Sequence, residues 1–328
     1  MTNMDNDIYT GEIVFLDAYT LNPGDLDWAE LKQFPGLMTY ERTLPADVVE
    51  RIGDARIVIT NKTVLTEKEF AQLPNLELIC VAATGYDVVD VAAARRYGIT
   101  VCNCAGYSTG AVAQAVVAHL LEVTNQVGHY TRAVVQGKQW AKSVDFCYWD
   151  LPLTELDGKK LAVVGFGNIG KAVTDRLRPF GMRLFAVTSK SKAELPADVE
   201  KIGLEEAFAC CDVVSLHCPL TVDNQQLVED RLLEKARKGL VLINTARGGL
   251  IDDEAVARAL ASGRLGAYCC DVLSVEPAPV EHPLLKAERV FITPHIAWAA
   301  REARCRIIRI LSDNIMAYLK GMPRSVVN

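Results

Sequence analysis

The sequence carries no surplus of positive charge: 35 Lys and Arg stand against 41 Asp and Glu, for a formal net charge of −6. Nucleic acids and anionic membranes bind basic surfaces, so we expect neither as a partner. Long apolar runs are absent as well, since none approaches the roughly 20 residues of a membrane-spanning helix. The polar stretch 1–7 has no signal-peptide core, which predicts a cytoplasmic protein.

Cysteine is present, with 10 residues, but not in patterns that indicate zinc or disulfide bonds. Cys102 and Cys104 form a C-x-C pair, and the cysteines at 210–211 and 269–270 are adjacent, none at a usual zinc spacing. A long chain without a secretory signal fits a reduced compartment. We therefore expect no metal site and cysteines that act mostly as small apolar side chains.

Short apolar strands alternate with helical stretches along two parts of the chain, and this alternation is typical of parallel α/β sheets. Four strands are predicted in the first part, at 13–16, 56–60, 76–82 and 99–102. Six are predicted in the second, at 161–164, 183–187, 212–217, 240–244, 266–271 and 289–292. The pattern predicts two Rossmann-like or flavodoxin-like domains with doubly wound parallel sheets.

We expect the first domain to be discontinuous. An amphipathic helix predicted over 301–319 follows the last strand and can return to the first domain. The expected division is 1–106 with 300–328 as the substrate domain, and 107–299 as the dinucleotide-binding domain. That second part includes a long helix with Val112, Val116, Leu120 and Val123 on one side.

A glycine motif follows the strand at 161–164. Its spacing is G-x-G-x-x-G, with Gly165 for the tight turn, Gly167 for close approach of a pyrophosphate and Gly170 for packing of helix on strand. The helix predicted over 169–180, directly after Asn168, directs the N–H groups of its first turn, including that of Ile169, at the same place. The motif predicts dinucleotide binding, and the alternative is a glycine turn that serves packing alone.

Three ionisable residues lie just beyond predicted strand ends, on the side where a nucleotide binds. They are Arg247, Glu276 and His295. A guanidinium can hold a carboxylate through two parallel hydrogen bonds, and a histidine paired with a carboxylate suits proton donation near neutral pH. Taken singly, each is equally well explained as a solvated loop residue or a cap.

In the first domain, Thr84 and Gly85 follow the strand at 76–82, where parallel sheets place ligand-binding loops. Their N–H groups are candidates to hold a substrate carboxylate. A tight turn with positive φ at Gly85 explains the same residues.

The segment 127–152, here called the arm, holds Trp140, Tyr148 and Trp149 among polar residues. An aromatic-bearing arm indicates a subunit contact, and burial against the protein's own core is the alternative.

Five runs in this order resemble the D-isomer-specific 2-hydroxyacid dehydrogenases over nearly the whole chain. They are 165–170, 216–221, 244–248, 271–277 and 293–295. The runs 83–86, 104–109, 146–150 and 295–298 look most like those of glycerate dehydrogenases, also called hydroxypyruvate reductases.

The resemblance implies an enzyme that reduces a small 2-keto acid with NAD(H) or NADP(H). Arg247, with amides near Thr84 and Gly85, would hold the substrate carboxylate, and His295 would protonate the carbonyl oxygen with Glu276 behind it. Asp271 would contact the nicotinamide carboxamide. Further cofactor contacts are expected at Thr109, Cys218, Pro219, Thr245, Ala246, Arg247 and His295. A homodimer is also implied.

The sequence departs from NAD-using relatives after the strand at 183–187. No carboxylate stands there for the ribose hydroxyls, and the run instead contains Thr188, Ser189, Lys190 and Lys192. Hydroxyls and lysines suit a 2′-phosphate, which favours NADP(H) over NAD(H). The alternative is that both lysines are solvated loop charges.

Two other functions fit the same motifs. One is a non-catalytic, nicotinamide-sensing protein of the co-repressor type, although the chain's end at Asn328 leaves no long tail for partner motifs. The other is a different reaction of the family, such as oxidation of formate, phosphite or 3-phosphoglycerate. Pocket shape decides between substrates, and the sequence does not display it.

Overall fold

The computed structural model describes residues 12–328, which form two compact units. One unit runs to Ser108 and resumes over Ala299–Asn328, and the other is Thr109–Trp298. These divisions fall within two residues of the predicted boundaries. No helix within the described residues is both long enough and apolar enough to cross a membrane.

The first unit is built on a five-stranded parallel sheet of order β2-β1-β3-β4-β5. Its strands are β1 (Ile13–Phe15), β2 (Leu37–Thr39), β3 (Ile57–Thr60), β4 (Leu78–Val81) and β5 (Thr100–Asn103). This order is that of flavodoxin-like folds. Buried Val, Ile and Leu side chains of β1, β3, β4 and β5 supply much of the core, as expected for strands covered on both faces.

Within the described residues, five α-helices belong to this unit. They are α1 (Ala29–Lys32), α2 (Val48–Ile52), α3 (Glu67–Phe70), α4 (Val91–Arg96) and, from the C-terminal segment, α12 (Arg301–Leu319). The bounds of α12 confirm the prediction for 301–319, and its Ile307, Leu311 and Ile315 are fully or almost fully buried. Asn314 donates from Nδ2 to the Asn103 carbonyl at 3.0 Å, which ties α12 to the end of β5.

The second unit is built on a seven-stranded parallel sheet of order β12-β11-β10-β9-β6-β7-β8. Its strands are β6 (Lys160–Val164), β7 (Arg183–Val187), β8 (Val199–Lys201), β9 (Val213–Leu216), β10 (Leu240–Asn244), β11 (Leu265–Cys270) and β12 (Val290–Ile292). Strand order reverses between β6 and β9, so this is a doubly wound sheet with its switch point beside the glycine motif.

Seven α-helices complete this unit. They are α5 (Thr109–Asn125), α6 (Val127–Val135), α7 (Asn168–Leu177), α8 (Leu204–Cys210), α9 (Asp230–Lys235), α10 (Asp253–Ala261) and α11 (Pro283–Lys286). On the apolar side of α5, Val116, Leu120 and Val123 lie in a core cluster of this unit, and Val112 is buried as well. Single 3₁₀ turns occur in both units. Those of the first unit are Ala18–Thr20 and Pro45–Asp47, and those of the second are Trp140–Lys142, Arg178–Phe180, Lys192–Glu194, Val222–Asn224 and Gly248–Leu250.

The predicted strand counts were each one too low. The missing strands, β2 and β8, are three-residue edge strands, Leu-Met-Thr and Val-Glu-Lys. Edge strands are solvated on one side, so their sequences lack the continuous apolar run that marks a buried strand. The helix predicted over 169–180 is α7 followed by the 3₁₀ turn at Arg178–Phe180.

Candidate active site

The three ionisable residues singled out in the sequence follow three neighbouring strands. Arg247 follows β10, Glu276 follows β11 and His295 follows β12, and these strands are adjacent and parallel. Their carboxyl ends therefore meet at one edge of the sheet, the edge at which doubly wound folds bind ligands.

His295 and Glu276 form a direct pair. The His295 Nδ1 atom lies 2.6 Å from the Glu276 Oε2 atom, and the second oxygen, Oε1, accepts from the Leu273 N–H at 2.9 Å. Each of the paired side chains is about one-third exposed, at 35% and 36%. The carboxylate fixes the imidazole in one orientation, with the proton on Nδ1 and Nε2 as the nitrogen that faces away from the pair.

The backbone of His295 is held in a left-handed conformation with φ of 54°. Such a conformation is rare for a non-glycine residue and persists only when neighbours enforce it. Here the Asp271 carbonyl accepts from the His295 N–H at 2.8 Å. The Asp271 carboxylate accepts from the N–H groups of Ile296 and Ala297, each at 2.8 Å. Asp271 thus fixes the loop that carries His295.

A second set of contacts supports Asp271. The Thr293 hydroxyl donates its one proton to Asp271 Oδ1 at 2.6 Å. Its oxygen can therefore only accept from His119, so the His119 Nε2–H donates to the Thr293 oxygen, 3.3 Å away. Burial lowers the pKa of His119, although the charge of Asp271 opposes this effect. His119 is therefore neutral and serves as a hydrogen-bond donor. On the other side of the loop, Trp298 Nε1 donates to the His295 carbonyl at 2.8 Å.

Arg247 sits on a turn organised by Asn244, the last residue of β10. The Asn244 side chain accepts from the Ala246 N–H at 3.0 Å and donates to the Arg247 carbonyl at 2.9 Å. The next residue, Gly248, packs so tightly that a Cβ atom there would overlap the Leu273 carbonyl. This close approach joins the loop of Arg247 to the loop of Glu276.

The glycine motif has the shape of a pyrophosphate cradle. A Cβ atom at Gly165, where φ is +97°, would lie 2.7 Å from the Cys218 nitrogen, and one at Gly170 would overlap the Gly165 carbonyl. At Gly167, by contrast, a Cβ atom would meet nothing within 4 Å. Gly167 is the N-cap of α7, so open space lies where the first-turn amides of Asn168 and Ile169 point.

Other predicted cofactor contacts follow the neighbouring strands β9 and β10. Cys218 lies against Gly165, and burial raises the pKa of its thiol, so the sulfur stays protonated. The exposed Pro219 has its carbonyl bonded to Asn224 Nδ2 at 2.8 Å. Thr245 Oγ1 is buried and has no hydrogen-bond partner within residues 12–328, and it precedes Ala246 on the Arg247 turn. A buried hydroxyl without a partner fits a bound polar ligand.

The end of β7 carries the predicted cofactor-selecting residues. Thr188 Oγ1 accepts from the Lys190 N–H at 3.2 Å, and Ser189 and Lys190 are exposed. Lys201 on β8 donates from Nζ to the Lys190 carbonyl at 2.6 Å, which adds a second ammonium group. Thr109, also predicted to contact the cofactor, is the first residue of α5, which packs against α7.

Thr84 and Gly85 belong to the first unit and follow β4. Asn103, the last residue of β5, donates from Nδ2 to the Thr84 carbonyl at 2.7 Å. Thr84 Oγ1 in turn donates to the Cys104 carbonyl at 3.1 Å. These bonds join the two loops that follow neighbouring strands and fix the backbone on which Gly85 lies.

Sequence reasoning did not find the residues that hold the site together. Asn244, His119, Thr293 and the loop-fixing role of Asp271 became visible only in the structure. A polar residue directly after a buried strand was an available signal for Asn244 and Asp271. His119 gave no such signal, because it lies within the helix α5 and does not follow a strand.

Comparison with known proteins decides the family. The family model described as "D-isomer specific 2-hydroxyacid dehydrogenase, NAD binding domain" matches residues 117–297. The chain belongs to this family. It is therefore an oxidoreductase that acts on a CH–OH group with a nicotinamide cofactor, and the resemblance stated from the sequence is confirmed.

Two relatives of this dehydrogenase match it along nearly the full length. A hydroxypyruvate reductase of Blautia hydrogenotrophica is 41% identical, covering 97% of this chain and 99% of its own. A glycerate dehydrogenase of Methylorubrum extorquens is 36% identical, with the same two coverages of 97% and 99%.

Two solved structures share its fold with bound cofactors. An acyclic imino acid reductase in complex with NADPH and D-Arg superposes with a TM-score of 0.83, at 26% identity, covering 97% of this chain and 100% of that chain. An NAD-dependent formate dehydrogenase of Staphylococcus aureus in complex with NAD gives 0.81, at 26% identity, with coverages of 97% and 99%.

Proposed function

We propose that this dehydrogenase reduces hydroxypyruvate, and with it glyoxylate, using His295 as the proton donor. The observation that carries the proposal is the 2.6 Å contact between His295 Nδ1 and Glu276 Oε2 at the ligand-binding edge of the sheet. The names of the two relatives, hydroxypyruvate reductase and glycerate dehydrogenase, support the choice of substrate.

The residues give each group a defined task. When bound, the nicotinamide supplies hydride to the carbonyl carbon, and the His295 Nε2–H gives its proton to the carbonyl oxygen, which makes the hydroxyl of the product. Glu276 accepts from Nδ1–H throughout, so it orients the ring and leaves Nε2 as the donor to the substrate. Asp271 keeps His295 in its left-handed backbone conformation.

Arg247 is proposed to hold the substrate carboxylate, since a guanidinium matches the two oxygens with two parallel bonds. The assignment of Thr84 and Gly85 to the same carboxylate stays a prediction, supported by their place after β4. The contact between Asp271 and the nicotinamide carboxamide also stays a prediction. The Asp271 carboxylate already accepts three hydrogen bonds from the loop that carries His295.

Turnover tests the substrate. We expect hydroxypyruvate to be reduced with the highest kcat/KM among hydroxypyruvate, glyoxylate, pyruvate and a branched 2-keto acid. A higher kcat/KM for the branched acid would contradict the substrate. Cofactor binding without turnover of any 2-keto acid would contradict the activity and favour the co-repressor type.

We further propose that NADP(H) is preferred over NAD(H). The support lies after β7, where the exposed Lys190 has its carbonyl bonded to the Lys201 ammonium group, so both lysines belong to this turn. The nearby acid, Glu194, accepts from the Ser191 N–H and hydroxyl, each at 2.8 Å, so its carboxylate is used within its own turn. The two solved relatives hold NADPH and NAD, so this fold accepts either cofactor.

Cofactor preference is tested by comparing kcat/KM for NADPH and NADH in the wild type and in Lys190→Ala. We expect the substitution to lower kcat/KM for NADPH about tenfold, since it removes a charged partner of a phosphate. NADH serves as the internal control and should be unaffected. A wild type that strongly prefers NADH would contradict the proposal.

We also propose a homodimer formed through the arm. Val144, Phe146 and Trp149 in the arm are 100%, 89% and 69% exposed. An exposed apolar patch of this kind marks an interaction surface. Internal bonds keep it folded, such as Trp140 Nε1 to the Phe146 carbonyl at 2.8 Å. Sedimentation should give a dimer for the wild type and a monomer for Phe146→Asp, and a monomeric wild type would contradict the proposal.

A further inference from the structure

Asp253 is a buried carboxylate to which no role has been given so far. It is the first residue of α10, after the N-cap Asp252. Its Oδ2 atom accepts from the Ser274 hydroxyl and lies 3.1 Å from His282 Nε2. The side chains of His282 and Asp253 are only 4% and 9% exposed. A buried carboxylate is costly unless it is paired and hydrogen-bonded, and Oδ2 makes these two contacts while Oδ1 has no hydrogen-bond partner within residues 12–328.

The proton on His282 can be placed from its second contact. His282 Nδ1 accepts from the Leu284 N–H at 3.3 Å, so Nδ1 carries no proton. The proton is therefore on Nε2, and His282 is a neutral donor to Asp253. Both ring nitrogens are used, which leaves His282 no capacity for acid–base work while this geometry lasts.

The two donors to Asp253 stand at the two ends of one segment. Ser274 begins the segment 274–282, His282 ends it, and Glu276 lies within it. Directly before it, Leu273 donates its N–H to Glu276 Oε1 and packs against Gly248. The position of Glu276 thus depends on how both ends of the segment are fixed.

We propose that Asp253 is a positioning residue for the reaction. Its carboxylate holds both ends of the segment 274–282 and so keeps Glu276 at hydrogen-bonding distance from His295. The inference rests on the proposed function of that pair. Asp253 is thus a buried carboxylate that affects the proton donor His295 only through the position of Glu276.

The test compares Asp253→Asn with Asp252→Asn. Asp252 caps α10 by accepting from the Ala255 N–H at 3.0 Å, so its substitution weakens the same helix without touching the segment. We expect Asp253→Asn to lower kcat for hydroxypyruvate about tenfold while its KM changes less than twofold. The Kd for NADPH should also change less than twofold. Asp252→Asn should lower Tm but leave kcat at the wild-type value.

Ser274→Ala covers the case in which Asp253→Asn does not fold. It removes one donor and keeps the charge, and we expect a loss of about threefold in kcat with an unchanged KM. An Asp253→Asn or Ser274→Ala variant that lowers Tm while its kcat stays at the wild-type value would overturn the proposal.

Hydrogen exchange separates this proposal from the proposed function. Amide exchange over 274–282 should rise in Asp253→Asn and not in Asp252→Asn, whether or not the wild type turns over hydroxypyruvate. An inactive wild type would therefore remove the proposed function and leave the positioning claim measurable. Unchanged exchange over 274–282 would overturn the positioning claim alone.

Discussion

Two histidine–carboxylate pairs lie close together in the chain, and their surroundings differ. In the pair of His295 and Glu276, both side chains are about one-third exposed and only Nδ1 of the ring is engaged with the carboxylate. In the pair of His282 and Asp253, both side chains are buried and both ring nitrogens have partners. The same two residue types therefore give a proton donor in one place and a fixed hydrogen-bond junction in the other.

Substitution of each histidine should separate the two pairs most strongly. We expect His295→Gln to lower kcat for hydroxypyruvate reduction about 10³-fold, because general acid catalysis typically contributes 10²–10⁴-fold. His282→Asn should lower it only about tenfold, since it acts through the position of Glu276. Steady-state kinetics at saturating cofactor measure both, and equal losses in the two variants would break the distinction.

A glycine substitution tests whether the loops of Arg247 and Glu276 depend on one another. Gly248→Ala would bring a methyl group into overlap with the Leu273 backbone. That backbone cannot shift without moving the Leu273 N–H, which donates to Glu276 Oε1. We expect about 1–3 kcal/mol of destabilisation, as for overpacking in general, and a loss of kcat of about thirtyfold.

Gly249→Ala is the matched control for this substitution. Its Cβ atom would meet only the end of the Leu220 side chain, at 2.8 Å, and that side chain can turn away. Kinetics and urea unfolding of both variants give the comparison. Similar losses of kcat in the two variants would show that the contact with Leu273 is unimportant.

A third histidine sharpens the comparison because it has no carboxylate partner. His217 Nε2 lies 2.8 Å from the Ser215 hydroxyl, and burial lowers the pKa of His217 to about 3. Below about pH 6.5, the usual pKa of histidine, the unfolded chain therefore binds a proton at residue 217 that the folded chain does not bind. The stability contributed by neutral His217 is full above about pH 6.5 and falls as the pH drops toward 3.

We therefore expect His217→Gln to lose less stability than the wild type between pH 7 and 5, a window above the main titration of carboxylates. The effect is modest, approaching at most about 1.4 kcal/mol per pH unit for one proton. Urea unfolding midpoints across the window measure it. Parallel pH dependences in the two proteins would contradict the assignment.

Much of the fold followed from the sequence because its signals are local. The α/β alternation, the glycine motif before α7 and the bounds of α12 depend on periodicity and turn residues within short stretches. The edge strands β2 and β8 were not predicted from the sequence, because three-residue, partly solvated strands leave only a weak hydrophobic pattern. Their existence is decided by pairing with β1 and β7, which a local sequence pattern does not display.

The site divides in the same way. Arg247, Glu276 and His295 were predicted as site residues because each follows a strand end, a feature that can be read locally, and the structure brings Glu276 and His295 together. Their supports join residues far apart in sequence, such as His119 with Thr293 and Asp253 with His282. No periodicity connects such residues, so only the folded chain shows which polar side chains meet.

The central claim, that Glu276 and His295 act as one proton-donating pair, is tested most directly by kcat for hydroxypyruvate reduction at saturating cofactor. The measurement compares the wild type with Glu276→Gln, which keeps an acceptor for Nδ1–H but removes the negative charge, with His295→Gln and with the double variant. Glu276→Gln should lower kcat about 10²-fold, and the double variant should lose no more than His295→Gln alone, because residues that act as a unit give non-additive losses. Losses that multiply in the double variant would contradict the claim.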